Sequence, residues 1–226
     1  MAGGAFKNIN PELVPLSRET LQERVYRRIV ELILDGSIVP GEMVTVQSLA
    51  DLFGVSPMPV REALRRLMAA NALTVVSGRS IGIPLLSRAR LTDLRNVRLE
   101  IEPTAAAWAA AHIDAGALTK LEIHLRALEQ ANADGDVRSY LRANHAFHFS
   151  IYRAARSENM LKIIEDLWLQ ISPYFNLLHD SGNYSTANEH HQQMLEALKN
   201  HESEAVRTAL RADIEAAYHV LIELVL

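Results

Sequence analysis

The chain of 226 residues contains no cysteine. That excludes a disulfide framework, thiolate zinc sites and a cysteine nucleophile, and it fits a reducing compartment. Long apolar runs are also missing: none approaches the roughly 20 residues of a membrane span. The first ten residues carry one lysine and no apolar core, so they do not make a signal peptide. A cytoplasmic protein with no membrane partner is the expectation. Excess positive charge is absent as well, since 23 Lys plus Arg against 27 Asp plus Glu leave a net charge of −4. Contact with nucleic acid must therefore come from a local patch, not from bulk charge. There is no internal repeat and no low-complexity segment.

What is present is helical pattern on both sides of one short strand-like stretch. Residues 1–16 have little pattern and read as mobile. Thr20-Leu21-Gln22-Glu23 fits a capping box. It is followed by Leu21, Val25, Ile29 and Leu32 at helical spacing, with Gly36 placed to end the helix. A turn at Pro40-Gly41 leads to a short helix over Val46 to Phe53, closed by Gly54. Next comes GVSPMPVREALRRL, residues 54–67. Ser56 suits an N-cap, and Pro57 and Pro59 sit in the first turn, where backbone N–H groups have no intrahelical partner. The prolines fix where this helix begins. Val60, Leu64 and Leu67 form its buried stripe, with Arg61, Arg65 and Arg66 away from it. Leu73–Val76, the turn Ser77-Gly78-Arg79-Ser80 and Ile81–Ile83 read as a hairpin. Three helices and a two-stranded wing make a winged helix-turn-helix.

From Leu91 onward helix follows helix, over about 91–112, 117–133, 137–155, 158–179, 185–199 and 202–224. The fold class is mainly α: an N-terminal winged helix-turn-helix, residues 1–86, and a C-terminal all-α bundle of about six helices, residues 87–226. Ser87–Arg90 reads as the linker.

Within that bundle, polar residues interrupt apolar stripes. One stripe runs Leu91, Leu94, Arg98, Ile101, Ala105, Trp108, and another Leu141, Asn144, His148, Ile151, Ala155. The last helix gives Val206, Leu210, Asp213, Ala217, Val220, Leu224, and a fourth sets His191 before Leu195 and Leu198. Burying such groups unpaired is costly, so they are expected to meet one another, or a ligand, in one polar cavity. Asn144 and His148 share a face. With His191 and Asp213 they supply two imidazoles, a carboxylate and an amide oxygen, a donor set for a divalent ion with open positions. His190 is the neighbouring alternative to His191. The competing reading is a buried ion pair of Arg98 with Asp213 or Glu102 and no metal. The other histidines, His112, His124, His145, His179, His201 and His219, read as structural or exposed; Tyr152, Trp168 and Tyr174 read as packing before cavity lining.

Residues 18–86 resemble the DNA-binding domain of GntR-type bacterial transcription regulators, through VYRRIVELILDGSIVPGEMV, VQSLADLFGVS, PVREALRRL and the LTVVSGR wing. Residues 91–226 resemble the FCD-type effector domain of the FadR branch, through RLEIEPTAAAWAA, NHAFHFSIYRAARSENM and EHHQQMLEALKNHESEAVRTALRADI. The resemblance implies that Gln47, Ser56, Met58 and Arg61 occupy DNA-contact positions and that Ser77 and Gly78 form the wing tip, with Arg79 adding charge. Arg61 is long enough to pair bidentately with a guanine, which discriminates by about 1–3 kcal/mol. Arg65 and Arg66 fit either phosphate contacts or solvated surface, and a Glu62–Arg66 pair suits the second reading. Two departures remove positive charge: Pro57 follows the serine where many members have arginine, and Gln47 stands where arginine is common.

In the second unit the resemblance assigns the metal positions to Asn144, His148, His191 and Asp213. A histidine is usual at the last of these, which leaves occupancy and the choice among zinc, nickel, manganese and iron open. Arg98 is then the anchor for a small carboxylate effector bridging to the metal. The implied function is a homodimeric regulator of a double-stranded DNA operator, repressor before activator. A metal-dependent enzyme using the same cluster, and a DNA-binding protein with no ligand site, are the alternatives.

Overall fold

In a computed structural model residues 20–78 and 80–224 are described. The first helix, α1 (Leu21–Leu34), starts at Thr20, whose hydroxyl accepts from the Glu23 N–H at 3.2 Å. Glu23 turns its carboxylate to Arg66, 2.8 Å away. Val25, Ile29 and Ile33 are the buried face of α1, while Leu21 is exposed. Strand β1 (Met43–Val44) follows, then α2 (Val46–Phe53) and α3 (Pro57–Ala69). The reciprocal capping box belongs to α2: Ser48 N–H donates to the Thr45 hydroxyl and Thr45 N–H to the Ser48 hydroxyl, both at 3.0 Å.

The wing has three strands in the order β1-β3-β2, not two. Strands β2 (Thr74–Ser77) and β3 (Ser80–Gly82) form the hairpin, and β1 adds to β3 antiparallel with Met43 opposite Gly82. Two residues carry too little alternation to announce a strand. Gly82 is needed there because a Cβ would stand 2.7 Å from the Glu42 carbonyl oxygen.

The bundle is α4 (Arg88–Ala110), α5 (Ala115–Asp134), α6 (Val137–Ala154), α7 (Glu158–Ile171), a 3-10 turn (Ser172–Leu178), α8 (Asn183–Lys199) and α9 (Ser203–Leu224). α9 packs along both α4 and α8, and α5 along α6. Ser87 is the N-cap of α4, so Arg88–Arg90 are its first turn and not a linker. The helix expected over 158–179 tightens into the 3-10 turn at Pro173, which has no N–H to continue the ladder. Pro103 lies inside α4 and cannot donate to the Leu99 carbonyl; Arg211 Nη1 of α9 donates to that oxygen instead, at 2.7 Å. The buried side of α4 runs Arg98, Glu102, Ala105, Ala109, whereas Trp108 is 47% exposed. Leu224, expected inside, is also exposed.

The two units meet through α1, α6, α7 and the 3-10 turn. The Tyr174 hydroxyl donates to the Pro84 carbonyl between wing and bundle. Arg90 Nη2 donates to the Asn71 carbonyl at 2.7 Å.

Candidate nucleic-acid interface and candidate metal centre

The recognition end of α3 is shaped by its two prolines. Ser56 sits at the N-cap, but its hydroxyl caps nothing. The residue three positions on is Pro59, which has no N–H to offer it. Ser56 and Met58 are exposed at this end, Met58 by 61%. Arg61 is exposed one turn later and has no acidic partner among the described residues. Gln47, Arg61 and Gly78 line one cleft of about 780 Å³ between α2, α3 and the wing. Gln47 Nε2 is tethered to Asp51 at 2.7 Å. Gly78 turns the wing with φ +54, and Ser77 beside it is exposed. Arg79 lies outside the described residues, as do residues 1–16.

Arg65 pairs with Glu62 at 3.2 Å. Arg66 swings to α1, held by Glu23 and stacked 3.6 Å over the Tyr26 ring. The Glu62–Arg66 pair suggested by spacing is therefore replaced by Glu62–Arg65.

In the bundle, His148 of α6, His191 of α8 and Asp213 of α9 converge: their ligand atoms all lie within 4.8 Å of one another, and all three residues are buried. The two Nε2 atoms are 3.0 Å apart, and Asp213 carboxylate oxygens lie 3.5 Å from His148 and 3.8 Å from His191. His190 is only half-buried and lies outside the cluster, whereas His191 is fully buried within it, so the choice between the adjacent histidines falls to His191. Asn144 and Arg98 line the same cavity, together with Trp168, Phe175 and Leu178. The cavity holds about 30 Å³, room for an ion and a water or two; an organic acid enters only if the walls move.

A hydrogen-bonded chain leads out of this cluster. Arg98 Nε donates to Glu102 Oε1 at 2.6 Å, and the Tyr152 hydroxyl donates to Glu102 Oε2 at 2.6 Å. Its single proton thus committed, the Tyr152 oxygen accepts from His148 Nδ1 at 3.3 Å. That fixes the His148 tautomer and leaves its Nε2 lone pair facing His191 and Asp213.

Burial is the first cause holding both imidazoles neutral. It takes His148 well below the usual range, with His191 and Arg98 adding to the effect, and His191 down to about 3. Burial also lifts the Asp213 carboxyl to about 7, against the pull of Arg98. His191 Nδ1 has no hydrogen-bond partner among the described residues.

The donor set fits a divalent ion. An ion bonded at about 2.0–2.2 Å holds its ligand atoms about 2.8–3.8 Å apart at angles of 90–120°, a range that takes in the spacings here.

Comparison with known proteins decides the family. Residues 21–83 match the gntR family of bacterial regulatory proteins, and residues 93–216 match the FCD domain. The HTH-type transcriptional regulator McbR of Escherichia coli is 31% identical over 178 residues, covering 77% of this chain and 80% of its own. The chain belongs to the GntR family of transcription regulators, with an FCD domain. A probable D-xylose utilization operon transcriptional repressor of Paenarthrobacter nicotinovorans is 26% identical over 201 residues, 89% of this chain and 88% of its own. The structure of E. coli McbR/YncC superposes with a TM-score of 0.83 at 28% identity, over 91% of this chain and 99% of that one. A GntR regulator from Rhodococcus shares the fold alone, at 20% identity and a TM-score of 0.74, over 88% of this chain and 97% of that one. These relatives are regulators, not enzymes, so the GntR/FCD chain is a transcription regulator and not the metal-dependent enzyme considered above.

In this regulator, then, three of the four expected metal-site residues form the tight cluster and Asn144 lines the same cavity. Arg98 reaches that cavity but is already paired with Glu102. Tyr152, expected as packing or cavity wall, instead meets His148 Nδ1. Its signal was its place one turn beyond His148, where a hydroxyl meets the second ring nitrogen. Among the described residues no helix is long and apolar enough to cross a membrane.

Proposed function

We propose that this GntR/FCD regulator acts in the cytoplasm as a homodimer. In this reading it grips a double-stranded DNA operator through Ser56, Met58, Arg61, Gln47 and the Ser77-Gly78-Arg79 wing, and releases it when a small carboxylate effector enters the metal-bearing cavity. The observation that carries the reading is the convergence of His148, His191 and Asp213 beside a cavity that His148, Asp213, Arg98 and Asn144 line. A divalent ion bound there, zinc, nickel, manganese or iron, would neutralise the cluster and offer open positions to a carboxylate oxygen. Arg98 supplies the matching guanidinium, and Glu102 is the partner an entering carboxylate must share or displace.

The small cavity supports a coupling to DNA. Phe175 and Leu178 of the 3-10 turn are among its walls, and Tyr174 of the same turn holds the Pro84 carbonyl next to the wing. Widening the cavity pushes on the segment that positions the N-terminal unit, a coupling of about 1–3 kcal/mol in typical cases. Dimerisation is supported by need, since one recognition helix reads too few bases. It is also supported by α4, which exposes Val97 and Trp108 three turns apart on one face. Repression fits the role of the D-xylose relative, a probable operon repressor.

The test is fluorescence anisotropy on DNA from upstream of the protein's own gene, with metal-loaded full-length protein. The expected result is tight, salt-sensitive binding, weakened by about 1–3 kcal/mol in Arg61→Ala and relieved by a subset of small mono- and dicarboxylates. Unchanged binding by Arg61→Ala would remove the assigned interface. Indifference to every acid tested, with metal bound, would leave a DNA-binding protein without an effector.

A further inference from the structure

A second cleft lies where α1 of the N-terminal unit meets α6 and α7 of the bundle. Its volume is about 520 Å³, within the roughly 300–1,000 Å³ of small-ligand sites. Trp168 separates it from the metal cavity and lines both. The floor is aromatic: His145 stacks on Phe149 with ring centres 4.1 Å apart, and Trp168 meets the two edge-on at 5.7 and 5.4 Å. From α1, Tyr26 adds a further ring to the lining.

The charges around this floor are unevenly matched. Arg66 is held by Glu23 at 2.8 Å and Lys162 by Asp166 at 3.0 Å. Arg153 is different. Its guanidinium lies 5.5 Å from the Phe149 ring centre and has no acidic partner among the described residues. An unclaimed planar cation beside a flat aromatic floor is complementary to a flat aromatic ring bearing one carboxylate. Glu23, Glu31 and Glu165 line the cleft against the cations Arg27, Arg66, Arg153 and Lys162, a balance that one carboxylate matches and a dianion exceeds.

We propose that this interdomain cleft is a second ligand site, taking a flat aromatic monocarboxylate with its ring against His145, which is itself backed by buried Phe149, and its carboxylate on Arg153. Such a ligand touches α1 on one side and α6 and α7 on the other. Its affinity therefore depends on how the DNA-binding unit sits on the bundle, and by linkage its binding biases that placement. The site shares only the Trp168 wall with the metal cavity and needs no metal of its own.

The test uses full-length protein and calorimetric titration with 2-naphthoate, with naphthalene-2,6-dicarboxylate as the dianionic control. Wild type should bind 2-naphthoate saturably, one per chain, equally with and without a chelator present. Arg153→Met should weaken binding by at least about tenfold, with unchanged circular dichroism, and Arg153→Lys should recover part of the loss. Equal affinity in Arg153→Met, absence of saturable binding by wild type, a requirement for divalent metal, or tighter binding of the dianion would each overturn the proposal.

Discussion

Arg98 and Glu102, one turn apart on α4, close an ion pair at 2.6 Å with side chains only 6% and 0% exposed. A charge so placed is tolerable only while its partner is present. Glu102→Gln is expected to destabilise the fold by about 3–5 kcal/mol in urea denaturation, because the guanidinium stays buried without its counter-charge. The double variant Arg98→Met/Glu102→Leu removes both charges and should lose much less. If Glu102→Gln unfolds at the wild-type urea midpoint, Arg98 is not held by this pair.

The Pro103 defect in α4 gives a cleaner test of packing logic. Arg211 Nη1 serves the Leu99 carbonyl that the proline leaves open. Arg211→Met should cost about 1–3 kcal/mol by stranding that oxygen. In a Pro103→Ala background the helix can serve Leu99 itself, so the same change should cost less. A double-mutant cycle with no coupling would refute the pairing.

Gly36 ends the turn after α1 with φ +71, and a Cβ there would stand 3.0 Å from Leu141 Cδ1 on α6. Gly36→Ala meets both a left-handed backbone and that side chain. A loss of about 1–2 kcal/mol is expected, read by thermal or urea unfolding. Full wild-type stability would mean that the joint between α1 and α6 is loose at this point.

His124 supplies a pH dependence. Burial first, then Lys120, lowers its pKa from the usual 6.5. Between that lowered value and 6.5 the unfolded chain binds the proton more readily than the native one. The stability tied to neutral His124 is therefore present above pH 6.5 and lost as pH falls through 6.5 toward the native pKa. His124→Asn should flatten the stability profile between about pH 7 and 5. Parallel profiles for variant and wild type would contradict the assignment.

Much of this molecule was legible because helices have a period. His148, His191, Asp213 and Arg98 stood out as polar residues in apolar stripes, and the structure clusters the first three beside a cavity that Arg98 also lines. The α4 stripe was mis-phased at Trp108, because the buried position beside it is Ala109 and an alanine does not advertise a core face; Ile101 does pack against the core, beside fully buried Glu102. The prolines of α3 were read correctly as marking its start. What they do to Ser56 follows only from counting which first-turn residues have an N–H. β1 is too short to show a pattern. The Arg153 cleft depends on how α1 docks on α6 and α7, a tertiary relation that no single-helix period encodes.

The central claim is that His148, His191 and Asp213 form a metal-binding centre inside a transcription regulator. Elemental analysis by plasma mass spectrometry, on full-length protein equilibrated with zinc, nickel, manganese or iron and then dialysed, tests it most directly. The account predicts one tightly held divalent ion per chain in wild type and none in folded His191→Gln. A metal-free wild type under every loading condition, or an ion retained by both His148→Gln and His191→Gln, would contradict it.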